Sequence, residues 1–162
     1  VEKIALLSPA LAWLRDRQWR WLLSLPLPKL GIIQPTPRPV IEAIVRRVVP
    51  GGQDGWAAAG VDEFLRSYLT PSGRHAFYES ARNVYLDEPH GEEGLWTRLE
   101  KLEPDSLFVW GRHDRLVPIA FMRHVEECLP AAKHLELNCG HVPQLERPRE
   151  THAAILKHFA SD

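Results

Sequence analysis

Three short runs of apolar residues stand apart from the rest of the chain. Ile4 to Leu7 ends at Ser8-Pro9, Ser106 to Trp110 is closed by Gly111, and His134 to Leu137 leads into Asn138-Cys139-Gly140-His141. Unbroken apolarity in the first two suits parallel strands covered on both faces, while the third alternates more. Between the second and third, PIAFMRHVEECLP places Ile119, Met122, Val125 and Leu129 at helical spacing, with Pro118 suited to the helix start and Pro130 to its end. After the third, RPRETHAAILKHFA offers Ala154, Ile155, Phe159 and Ala160 as another helical stripe. Residues 104–160 therefore read strand, helix, strand, helix, the order of a parallel sheet with crossover helices.

The middle of the chain has a different rhythm and no convincing strand. PRPVIEAIVRRVVP brings Ile41, Ile44, Val45 and Val48 onto one helical face. VDEFLRSYL does the same with Val61, Phe64, Leu65 and Tyr68, and GRHAFYESARNVYLDE with Phe77, Tyr78, Ala81, Val84 and Tyr85. EEGLWTRLEKL adds a short helix, and the Pro- and Gly-rich connectors PLPKLG, QPTPRP and PGGQDG mark loops. The pattern predicts an α/β fold in three parts: a core strand in residues 1–10, a helical insertion in 11–103, and the C-terminal part of the core in 104–162.

Composition narrows the function classes. The 162 residues fit one ordinary globular domain, with 25% charged and 44% hydrophobic side chains. A formal net charge of −1 argues against a general nucleic-acid binder. No apolar run is long enough to span a bilayer, and the opening VEKIALLSPAL lacks a signal-peptide layout. Cys128 and Cys139 have no metal-type spacing and read as reduced thiols of a cytoplasmic protein. The chain begins at Val1 with a core strand, and its one methionine is Met122. That layout suggests a piece of a longer polypeptide.

Two segments carry chemistry. In SLFVWGRHDRLVP a strand ends at Gly111 and a carboxylate follows at Asp114. In HLELNCGHVPQLERP a strand ends and His141 is presented just beyond a glycine. Functional groups gather at the carboxyl ends of strands in open parallel sheets, and neighbouring strands lie about 5 Å apart. The two loops can therefore bring carboxylate and imidazole together. Histidine as a general base needs one tautomer and one orientation, and a carboxylate accepting from its Nδ1–H supplies both.

These segments resemble the last two core strands of the α/β-hydrolase family. Its pattern strand–W-G-x-x-D-x-x-V-P is met at Trp110, Gly111, Asp114, Val117 and Pro118, and G-H-x-P-x-x-E-x-P at Gly140, His141, Pro143, Glu146 and Pro148. The resemblance covers residues 1–10 and 104–160 and is only positional over the helical insertion, which corresponds to the family's cap. It implies a C-terminal half of that fold, with Asp114 as triad acid, His141 as triad base and no cofactor or metal. The acid-then-histidine order agrees with the family's chain order. The nucleophile elbow G-x-S-x-G is absent, as is the oxyanion loop that precedes it, and both are expected upstream of Val1. Ser8 ends a strand, but Leu7 and Pro9 flank it.

The resemblance implies a parent serine hydrolase that cleaves an ester or related acyl bond in an apolar small molecule, the piece alone being inactive. An upstream aspartate would instead make an epoxide hydrolase or dehalogenase, in which cap tyrosines polarise the epoxide oxygen, and Tyr78 and Tyr85 sit at suitable spacing. A third reading is a non-catalytic module, or half of a split assembly. Trp13, Tyr78, Tyr85 and Val142 are candidate substrate contacts. Around Trp13, Trp19 and Trp21 the interleaved arginines fit a cap helix packed on the core first, then one lining an acyl pocket, and last one lying at a membrane surface. Glu146 is expected to brace the histidine loop, and His113 to be an ordinary loop residue. The remaining histidines lack ligand spacing. An open sheet edge predicts pairing with the N-terminal half of the same fold or with a second copy of the chain.

Overall fold

The computed structural model describes residues 1–9, 24, 38–51, 55–85 and 88–161. Three strands, β1 (Lys3–Leu7), β2 (Asp105–Gly111) and β3 (Lys133–Leu137), form one parallel sheet in the order β1-β2-β3. Lys3 stands opposite Asp105 across the first pair and Leu107 opposite Lys133 across the second. The middle position of β2 explains its sequence. With a strand on each side and helices over both faces, Ser106 through Gly111 are all buried. Burying Phe108 and Trp110 in that way stabilises the fold by about 2–3 kcal/mol each. β3, at one margin, keeps Lys133 and Glu136 in solvent, which is why its apolar pattern is interrupted.

Among the described residues, four helices with given bounds lie between β1 and β2: α1 (Arg38–Val48), α2 (Gly55–Tyr68), α3 (Pro71–Tyr85) and α4 (Leu95–Glu100). The described residues of this stretch contain no strand. Val61 and Leu65 are buried against Val49, with Val45, Val48, Tyr68 and Val142 packed around them. Phe64, Phe77 and Ile44 belong to the expected apolar faces yet are about half exposed. α5 (Phe121–Cys128) connects β2 to β3, and Val125 and Leu129 join Phe108, Trp110 and Val117 in the second core cluster.

Two helix readings need correction. Pro118 does not open α5. Val117 is fully buried, so the chain leaves the core there and turns once, with Phe121 N–H on the Pro118 carbonyl, before the helix begins. After the short α6 (Pro143–Glu146), the terminal α7 (Pro148–Ala160) is rotated from the expected stripe. Phe159 is 52% exposed, while Thr151 and His158 are buried. His158 turns inward because its Nε2 lies 3.0 Å from the Ile4 carbonyl and 3.2 Å from that of Asp105. Inward-facing strand carbonyls need donors, and that demand outweighs the hydrophobicity of phenylalanine here.

Candidate active site

The loops leaving β2 and β3 are joined before any chemistry is considered. Arg112 N–H donates to the Leu137 carbonyl and His113 N–H to that of Cys139. The two backbones pass so closely that a Cβ on Gly111 would stand 1.9 Å from the Gly140 carbonyl oxygen. Glycine at 111 is therefore a packing requirement, set by the meeting of the two loops that carry the candidate residues. His113 is exposed, with Nε2 2.7 Å from Asn138 Oδ1, which adds a side-chain link between the same loops.

This seam places Asp114 beside His141. Oδ2 of Asp114 lies 2.8 Å from Nδ1 of His141. Oδ1 accepts from the backbone N–H of Leu116 at 2.8 Å and of Val117 at 2.9 Å. Both carboxylate oxygens are thus committed, one to hold the turn and one to face the ring. The Asp114 side chain is 1% exposed and that of His141 23%. An enclosed acceptor orients a partly open imidazole.

The histidine loop is also tied to the helical segment. His141 N–H donates to the Val48 carbonyl at the end of α1. The buried Glu146 carboxylate accepts from the backbone N–H of Gly140 at 3.0 Å, Gly51 at 3.2 Å and Val142 at 3.3 Å. One side chain therefore joins the loop carrying His141 to the α1–α2 junction. Charge-assisted bonds to otherwise buried N–H groups are each worth about 1.5–3 kcal/mol, and they do not add simply. Glu146→Ala is expected to destabilise the fold by about 2–4 kcal/mol. Glu146→Gln, which keeps a carbonyl oxygen for Gly140 and Gly51, should recover most of that. Urea midpoints of the two variants check this, and equal midpoints would contradict it.

Cys139 is buried behind the histidine loop. Burial and the neighbouring Glu146 carboxylate push its thiol up to about 11, so it stays protonated and is not poised as a nucleophile. Ser8 has a left-handed backbone, φ 42°, and sits at the C-terminal end of β1. It is 3% exposed, however, so its hydroxyl is not presented to a reactant.

Beside His141 opens a cavity of about 470 Å³, within the size range of small-molecule sites. Its walls come from α1, α2, α3 and α6 and include Ile44, Val48, Phe64, Phe77, Val142 and Leu145. Among the described residues the wall side chains apart from His141 are apolar, so the cavity suits a hydrocarbon moiety. Among the proposed substrate contacts, Val142 lines this cavity. Tyr78 is half-buried on α3 and is not among the lining residues, and burial raises its phenol above the ordinary value. Trp13 and the side chain of Tyr85 lie outside the described residues. Glu146, expected from the G-H-x-P-x-x-E-x-P pattern to brace the histidine loop, accepts from that loop's N–H groups and also reaches Gly51. The part played by Val48 at the seam, a backbone carbonyl, left no signal in the sequence.

No protein-family profile and no curated protein matches the sequence. Solved structures do. The enol-lactonase of Burkholderia xenovorans LB400 is similar over 99% of this chain with a TM-score of 0.70 at 13% identity. An alpha/beta hydrolase enzyme from a Medee basin deep-sea metagenome library gives 0.66 at 13%, again over 99% of the chain. The 2-hydroxy-6-oxo-6-phenylhexa-2,4-dienoate hydrolase of Rhodococcus sp. strain RHA1 gives 0.63 at 24%, over 99%. This chain spans only 57%, 57% and 56% of those three. It has the α/β-hydrolase fold over the portion it shares with them.

Proposed function

We propose that this chain supplies the acid and the base of an acyl hydrolase, with helices α1–α4 forming the cap over the substrate. The observation that carries the reading is the 2.8 Å contact between Asp114 Oδ2 and His141 Nδ1 at the wall of an apolar cavity. Two neighbours in fold are named as an enol-lactonase and as a hydrolase of an oxo-dienoate, which supports hydrolytic chemistry. The nucleophile is a serine supplied by a segment outside this sequence, which contains no G-x-S-x-G.

The roles follow from the geometry. Nδ1–H of His141 donates to Asp114, which leaves Nε2, across the ring, to take the serine proton as Oγ bonds to the substrate carbonyl carbon. The imidazolium formed is stabilised by the enclosed carboxylate, and Nε2–H then protonates the departing alcohol. Water attacks the acyl-serine, gives its proton to Nε2, and the serine leaves with that proton. Oδ1, held by two N–H groups, prevents Asp114 from rotating away during either transfer.

A fluorophosphonate probe tests the assignment. The purified chain alone should remain unlabelled, whereas a polypeptide or complex that adds the native elbow should be labelled on the elbow's serine. A covalent adduct on the chain alone, mapped to Ser8 or any other position, would overturn the reading. Labelling of neither would point to an aspartate at the elbow.

A further inference from the structure

Gly60 lies inside α2, where glycine costs about 1 kcal/mol of helix propensity relative to alanine. The structure shows what that cost permits. A Cβ at this position would stand 2.5 Å from Cδ1 and 2.8 Å from Cδ2 of Leu145, so the leucine occupies the space that any other residue would need. Gly60 and Leu145 both line the cavity beside His141, and Leu145 follows His141 by little more than one helical turn, in α6.

We propose that Gly60 and Leu145 together set the width of the substrate chamber close to the histidine, so that it admits an unbranched aliphatic chain and rejects a bulky one. This rests on reading the cavity as the substrate's chamber. Leu145 is held from two sides. Its N–H bonds the Val142 carbonyl, and the next residue, Glu146, is fixed by its carboxylate to Gly51 and Gly140. The backbone that carries the leucine therefore cannot retreat, and only the tip of the side chain adjusts. Adding a methyl group at residue 60 drives that tip into the cavity. Removing the leucine tip opens the chamber toward α2. Several of the other lining residues, Val142 and Val48 among them, are β-branched and have little rotamer freedom with which to compensate.

Binding to the purified chain tests this without any chemistry, using two neutral alcohols of similar hydrophobicity, 1-octanol and 1-adamantanemethanol, in isothermal titration calorimetry. The parent chain should bind octanol at least tenfold more tightly than the adamantyl alcohol. Gly60→Ala should weaken octanol binding by about tenfold or more, and the double variant Gly60→Ala/Leu145→Ala should restore it, since the new methyl then occupies vacated space. Leu145→Ala alone should erase most of the preference between the two alcohols. Thermal melts accompany each titration. Failure of the parent chain to bind either alcohol overturns the proposal. So does a Gly60→Ala variant that melts normally and binds octanol unchanged, or a Leu145→Ala variant that keeps the preference. These outcomes are independent of fluorophosphonate labelling, so the width filter and the serine mechanism stand or fall separately.

Discussion

Replacing His141 with alanine in the proposed enzyme, this chain together with a segment bearing a serine, should lower kcat by on the order of 10⁵–10⁶-fold. The size follows from the number of proton transfers lost. In the proposed mechanism Nε2 takes a proton in each of two attacks and returns it in each of two departures, and among the described residues no other titratable side chain lines the cavity to substitute for it. Stability should change much less. The ring is 23% exposed, and its removal leaves Asp114 Oδ2 without its 2.8 Å partner, a loss of about 1–3 kcal/mol. Steady-state hydrolysis of a p-nitrophenyl ester, read beside a thermal melt, separates the two effects. A variant that melts normally and keeps more than a tenth of the parent rate would sink the assignment of His141 as base.

Asp114→Asn should cost about 10⁴-fold in kcat with little change in KM, although the substitution is nearly isosteric. The reason lies in the other carboxylate oxygen. Oδ1 accepts from Leu116 and Val117 N–H, so the asparagine must turn its carbonyl oxygen toward those donors. Its NH₂ then faces His141 Nδ1. That nitrogen becomes an acceptor, the ring proton moves to Nε2, and Nε2 can no longer receive the serine proton. The flipped amide would set NH₂ against two N–H groups and is excluded. Nitrogen-15 chemical shifts of the His141 ring report the tautomer directly. A variant with its proton still on Nδ1, or with activity within tenfold of the parent, contradicts this account.

The sequence revealed this site more completely than it revealed the fold around it. The strands were legible because β2 is buried along its length and its apolar run is unbroken. Asp114 and His141 were legible because each follows a strand end within a recognisable local pattern. What stayed hidden depends on contacts between segments distant in the chain. Nothing near Val48 or Gly51 announces that they meet the histidine loop, because the groups involved are backbone N–H and C=O, common to every residue. The inward turn of His158 is settled by carbonyls of Ile4 and Asp105, far away in sequence, so periodicity within α7 favoured Phe159 instead. The close approach of Leu145 to Gly60 likewise joins residues far apart in the chain, and nothing in the sequence marks it.

β1 and β2 pair in register although the whole helical stretch from Arg38 to Glu100 intervenes between them. Closing a long connection is entropically forgiving, and each doubling of its length adds only about 0.6 kcal/mol. The sheet is therefore nearly indifferent to how much chain is looped out between Leu7 and Asp105. The seam at Val48–Gly51 is not indifferent, because its carbonyl and N–H hold the peptide that presents the histidine. Recombination could exchange everything else in that stretch, helices and chamber walls alike, and leave the reacting groups in place. New binding preferences would then arise by swapping modules around one short retained splice, with no need to rebuild the loops that carry Asp114 and His141.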